Sequence, residues 1–147
     1  MKLLDAEETV VLVVGGTATA EERDRPLAER IKVEIDRRGD GHAWRRAVIV
    51  NDQQYFGAEG LQRSTVIAIG GPGSNAAAAH FVDRLDTLLA QDDRFWVQAS
   101  LEVEPRRVAL WGINSAATGE SVTAFIEHGY LEDLLGRIWR VRPGMMM

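Results

Sequence analysis

Cysteine is absent from the 147-residue chain. That excludes disulfides, thiolate nucleophiles, iron–sulfur clusters and cysteine-type zinc sites together, and an intracellular setting fits. Long apolar runs are also missing. The opening stretch, MKLLDAEETVVLVVGG, has an apolar core only from Val10 to Val14, preceded by acids. An export signal needs a basic start and a longer apolar region, and a membrane helix needs about 18 apolar residues. The expectation is a cytoplasmic protein with no membrane partner. A basic surplus is lacking too. Net charge is −5 with both signs interspersed, so the electrostatic footprint of a nucleic-acid binder is not there. The one basic bias, Arg137, Arg140 and Arg142, suits the negative end of a closing helix. His42, His80 and His128 have no metal-ligand spacing, and no metal site is expected. Ser74 follows a glycine, but GPGSN is not the GxSxG nucleophile elbow. With no repeat, linker or low-complexity tract, residues 1–147 read as one domain, long enough to bury roughly 68–70% of its unfolded surface.

What is present is a series of short apolar runs, each stopped by small or polar residues. Val10–Val14 is continuously apolar, as in a strand covered on both faces, and it ends at Gly15-Gly16. Thr19 to Glu22 has capping-box spacing, but Pro26 is not tolerated deep in a helix. The pattern therefore predicts a turn, then a helix over 26–38 with Leu27, Ile31 and Ile35 on one face, ended by Gly39. Ala47–Val50 is a second strand, followed by Asn51-Asp52 and a polar connection over 53–63. Val66–Ile69 is a third. The spacing of Phe81, Leu85, Leu88 and Leu89 predicts a helix over 74–90, closed by Asp92-Asp93. From Trp96 to Glu104 apolar and polar residues alternate, which predicts a strand with one wet face at or near a sheet edge. Pro105-Arg106-Arg107 turns it into an antiparallel partner over 108–111. Helices over 120–128 and from Leu131 to Trp139 complete the chain, separated by Gly129. The four tryptophans read as core or interface residues, and the Met145–Met147 tail carries no reading. Buried strands alternating with helices imply an α/β fold: a three-layer sandwich with a mostly parallel sheet, Rossmann-like or flavodoxin-like, and one antiparallel edge strand.

In an open parallel sheet, ligands bind beyond the carboxyl ends of the strands. The candidate binding residues follow: Gly15, Gly16 and Thr17; Asp52 after Asn51; Gly70, Gly71, Gly73, Ser74 and Asn75 in GGPGSN; and Asn114 and Thr118 after Gly112. If the strands are parallel, all four segments share one edge, and the opposite edge carries ordinary connections. GGPGSN has two readings. It is a cradle in which backbone N–H groups and a helix start hold an anion, or it is a tight strand-to-helix corner with a capped helix. It matches neither GxGxxG nor GxxxxGK[ST], and Pro72 removes one donor. No lysine or arginine occurs between Arg63 and Arg84, so an anion would depend on the N–H groups of Gly71, Gly73, Ser74 or Asn75. Asp52 is the best-placed carboxylate for a metal, ribose hydroxyls or base chemistry; alternatively it caps its own turn. His80 reads either as a residue of the pocket rim or as one packed on its helix.

The segments DRPLAERI, RRAVIVND, AIGGPGSNAAAAHF and ALWGINSAATGESVTAFIEHGYLEDLL give the chain, over about residues 10–135, a resemblance to a bacterial family of small α/β proteins of unassigned function with an IGGPGxN strand-end motif. The same stretch is similar to the GGPxxN of some archaeal surface-layer domains. The resemblance brings no activity, cofactor or catalytic residue with it; it implies that residues 70–75 and 111–120 form one site. The leading expectation is a binding or sensor domain for a phosphorylated or nucleotide-like small molecule. The alternatives are a hydrolase or transferase using Asp52 with a metal, or His80, and an interaction module whose C-terminal helices dock a protein or a second copy.

Overall fold

In a computed structural model, which describes residue 5 and residues 7–139, the run Val10–Val14 forms β1 with every side chain fully buried. Successive strand residues point to opposite faces, so one apolar run feeds two cores. Val10, Leu12 and Val14 face one side and Val11 and Val13 the other. The remaining elements are α1 (Ala18–Gly39), β2 (Ala47–Asn51), α2 (Asp52–Phe56), α3 (Glu59–Gln62), β3 (Thr65–Ile69), α4 (Ala76–Phe81), β4 (Asp86–Gln91), β5 (Phe95–Ser100), β6 (Arg107–Gly112), α5 (Ser115–Glu127) and α6 (Tyr130–Ile138). The strand order is β2-β1-β3-β6-β5-β4. β2, β1, β3 and β6 are mutually parallel, and β5 runs against both β6 and β4. The larger core holds Ile31 and Ile35 of α1, Val122 and Phe125 of α5 and Leu131 and Leu134 of α6. The smaller one holds Tyr55 of α2 and Ala77, Ala78 and Phe81 of α4. Helices thus cover both faces of a mostly parallel sheet with an antiparallel edge. Burying each large aliphatic side chain contributes about 1.5–3 kcal/mol. Among the described residues no helix is long and apolar enough to cross a membrane. Arg140, Arg142 and Met145–Met147 lie outside the described residues.

Several expectations are corrected. The helix expected over 26–38 begins eight residues earlier, at Ala18, with the Thr17 hydroxyl accepting from the Ala20 N–H at 3.1 Å. Pro26 lies inside it. Both Pro26 and Glu22, whose carbonyl loses its partner, are exposed, while Ala20, Ala28, Ile31 and Ile35 on the other side are fully buried. Burial of that stripe outweighs the break. The helix expected over 120–128 also starts early, at Ser115, and runs to Glu127.

The helix expected over 74–90 stops at Phe81, and residues 86–91 are strand β4. Leu88 and Leu89 are only partly buried against the larger core, on a strand with a register irregularity between Thr87 and Leu89, so strict alternation is lost. Asp92 and Asp93 do not close a helix. Both have φ of 51°, and the Arg94 N–H donates to the Gln91 carbonyl at 2.8 Å, making a hairpin of the kind that needs two left-handed residues. Asp93→Gly is expected to raise unfolding free energy by about 0.5–1 kcal/mol, because glycine adopts that conformation without a Cβ penalty. A urea titration measures the gain. The antiparallel pairing expected of residues 96–104 with 108–111 is present as β5 with β6. β5 lies next to the edge as expected, with β4 outside it, but it ends at Ser100 rather than Glu104.

Candidate functional site

The parallel registers, with Val14 opposite Asn51 and Ile69 opposite Leu110, put the ends of β1, β2, β3 and β6 at one edge of the sheet. α1 and α5 leave that edge toward the larger core, and α4 leaves toward the smaller one. With α2 on the smaller-core side as well, the chain diverges at every pair of neighbouring parallel strands; two of these divergences flank β3, the first between β1 and β3 and the second between β3 and β6. The first divergence is filled. A Cβ at Gly15 would lie 2.0 Å from the Ser74 carbonyl oxygen, so only glycine permits the two turns to meet there. The second is open. A cavity of about 300 Å³ is lined by Arg23 and Asp24 of α1, Gly70 to Ser74, and the segment from Trp111 to Ser115 with Thr118.

Of the residues singled out in the sequence, Gly70, Gly71, Gly73, Ser74, Asn114 and Thr118 line this cavity. Gly15, Gly16, Thr17, Asp52 and Asn75 do not, and their contacts are architectural. Thr17 caps α1. Asn75 is buried, with its amide donating to the carbonyls of Val13 (2.9 Å) and Ile69 (3.0 Å) and its oxygen accepting from Ala77 N–H (3.0 Å). Asn51 forms a capping box with Gln54. Asp52 caps a different helix from its own, its carboxylate accepting from Ala76 N–H at 2.9 Å. Among the described residues no group of three or more His, Asp or Glu is placed to hold a metal ion. His80 is exposed and edge-on to Phe56 and Phe81, away from the cavity.

GGPGSN is both a corner and a wall. The Ser74 and Asn75 N–H groups each donate to the Gly71 carbonyl at 3.0 Å, and the start of α4 is occupied by Asn75 and Asp52. Gly70 takes φ of 106°, a conformation that favours glycine. Donors for an anion come instead from α5. Asn114 caps that helix through Ala117 N–H at 2.8 Å, and Thr118 Oγ1 accepts from Gly112 N–H and donates to the Asn114 carbonyl, each at 3.1 Å. The first-turn N–H groups of Ser115 and Ala116 have no acceptor among the described residues, as helix starts require, and they carry the partial positive charge of the helix.

The feature that sequence reading missed is Asp24. It is 3% exposed, and its carboxylate has no hydrogen-bond partner among the described residues. One oxygen lies 2.6 Å, and the Ser74 hydroxyl 3.5 Å, from the point where a Gly70 side chain would begin. Burial raises its pKa above the ordinary carboxyl range, against a smaller opposing pull from Arg23. The signal existed in the sequence. With α1 beginning at Ala18, the buried stripe runs Ala20, Asp24, Ala28, Ile31, Ile35, with a carboxylate where a hydrophobe belongs. Trp111, read singly as a core or interface residue though it opens the 111–120 segment, lines the cavity; it stacks on Trp96 at 4.3 Å and donates through Nε1 to Gln98 at 2.7 Å. No protein-family model and no curated protein matches the chain.

Proposed function

We propose that the chain is a cytoplasmic α/β binding or sensor domain for a phosphorylated or nucleotide-like small molecule, held in the cavity between the β3 and β6 turns. The observation that carries this is one cavity lined by groups of opposite preference. The α5 start and Arg23 favour an anionic group, and the partnerless Asp24 carboxylate favours hydroxyl or amino donors. A ligand with both, such as a sugar phosphate or nucleotide, satisfies both kinds of group. A volume of about 300 Å³ falls at the small end of ligand pockets. The divergence of connections at the carboxyl edge supports a Rossmann-like reading of the parallel half, in which ligands sit at such points.

The test is a thermal-shift screen with nucleotides and sugar phosphates, repeated on Ser115→Glu. A ligand at about 100 times its Kd adds roughly 2.7 kcal/mol of stability. Glutamate in the first turn of α5 suits the helix but repels an anion, so the variant is expected to fold normally and lose the ligand shift. A panel that never shifts the parent protein, or shifts the variant equally, defeats the proposal.

A further inference from the structure

The opposite edge of the sheet does not carry only ordinary connections. A cavity of about 350 Å³ opens there, bounded by Tyr55, Phe56, His80, Phe81, Arg84, Leu85, Val103, Glu104 and Arg107 among its lining residues. It lies where β6 begins and β5 ends, with Ser100 paired to Arg107. It shares no residue with the cavity between the β3 and β6 turns.

Two polar groups lining this cavity each lack something: Arg107 a counter-ion and the Tyr55 hydroxyl a hydrogen-bond partner. Arg107 is half-buried, and its guanidinium is held rigidly, with Nη1 donating to the carbonyls of Ser64 (2.6 Å) and Arg106 (3.2 Å) and Nη2 to that of Gln62. It sits 5.2 Å from the Phe81 ring centre. It has no carboxylate partner among the described residues, and burial lowers its pKa. A half-buried cation without a counter-ion is costly unless something supplies the charge. Beside it, Tyr55 is 2% exposed, and its hydroxyl has no hydrogen-bond partner among the described residues. Burial raises the pKa of that hydroxyl, opposed by the positive charge of Arg107, so the phenol stays protonated and available as a donor. Arg84 adds a second guanidinium at the rim. The one acid present, Glu104, is paired with Arg106 at 3.1 Å. The remaining wall mixes Gln62, His80 and Ser100 with the apolar Phe56, Phe81, Leu85, Val103 and Pro105, and Phe56 and Val103 are 41% and 67% exposed.

We propose that this cavity is a second binding site, for a small organic anion with an aromatic body, such as an aryl carboxylate. Its carboxylate would meet the Arg107 guanidinium and the Tyr55 hydroxyl, and its ring would lie among Phe56, Phe81 and Val103. A charge-assisted pair of this kind is roughly twice as strong as a neutral hydrogen bond, and aromatic pairs favour edge-to-face contact.

The experiment is a backbone-amide NMR titration of the full chain with phenylacetate, and with phenylacetamide as the neutral isostere. Phenylacetate is expected to shift amides over 55–62, 80–85 and 100–107, with the amide about tenfold weaker. Tyr55→Phe removes only an unpartnered hydroxyl, so it should fold and bind about threefold to tenfold more weakly. Val103→Glu, at an exposed rim position, places an acid beside the site and should weaken phenylacetate but not phenylacetamide. The proposal is overturned by no shifts up to about 20 mM phenylacetate, by equal affinity for acid and amide, by shifts confined to residues 70–74 and 111–118, or by folded variants that bind like the parent.

Discussion

Asn75→Ala is expected to lower the unfolding free energy by about 3–5 kcal/mol, a large share of the 5–15 kcal/mol typical of a domain. The side chain is 1% exposed and joins three elements. Its amide holds the carbonyls at Val13 and Ile69, near the ends of β1 and β3, and its oxygen holds the Ala77 and Ala78 N–H groups at 3.0 and 3.4 Å. Losing a helix cap costs about 1 kcal/mol. Each buried group left without a partner adds about 1–3 kcal/mol. Asn75→Asp keeps the cap but turns an acceptor toward two carbonyls, so it should be about as damaging at neutral pH. Urea unfolding of the three proteins measures this. A loss below about 1 kcal/mol for the alanine variant would show that water replaces the amide at little cost.

Asp24→Asn is expected to do two opposite things. Burial raises the carboxyl pKa in the folded state, so the folded protein binds this proton more tightly than the unfolded chain does. The unfolding free energy therefore falls as pH rises from the ordinary carboxyl range through the raised value, and the loss persists above it. Asparagine cannot ionise. The variant should lack that fall and be more stable than the parent at neutral pH, by about 1–2 kcal/mol, the scale of a buried polar group without a partner. Arg23 is the other charged side chain lining the cavity and is common to both proteins. Binding should move the other way. A hydrogen bond to a charged group is worth about 1.5–3 kcal/mol, so affinity for the best nucleotide or sugar phosphate should fall by tenfold or more. Urea melts between pH 4 and 8, with calorimetric titration of the ligand, separate the effects. Parallel pH profiles for the two proteins would show that Asp24 is not titrating in a buried setting. Greater stability with weaker binding is the trade expected of a binding residue.

The candidate site was legible in part because its glycines and caps answer to local rules. The strand-end turns at 70–74 and 112–118 lie together because β3 and β6 pair in parallel, and their apolar runs imply that layering. Asn75 was legible as a candidate cap of the helix that follows it, and it caps α4; Asp52 was legible as a cap of its own turn, but neither long-range bond was. Asp52 bonds to a residue 24 positions away, and Asn75 to one 62 positions away. Asp24 was hidden by the reading of Pro26 as a helix start. The cavity at Arg107 was hidden because its members come from stretches far apart in the chain, 55–62, 80–85 and 100–107.

By itself the sequence determined the doubly covered strands, the common edge of their carboxyl ends, and the antiparallel pairing of β5 with β6. Each follows from a short-range pattern: unbroken apolarity, small residues at strand ends, and a turn too short for a crossover. The tertiary structure alone decided that residues 86–91 pair as a strand, that α1 runs through Pro26, and which polar groups lie buried without partners. Leu88 and Leu89 fit either period, and only the pairing with β5 selects the strand. A proline in a helix is tolerated when the face opposite it is buried against a sheet. Whether Asp24, Tyr55 and Arg107 are satisfied depends on neighbours distant in the chain, and no local pattern contains them.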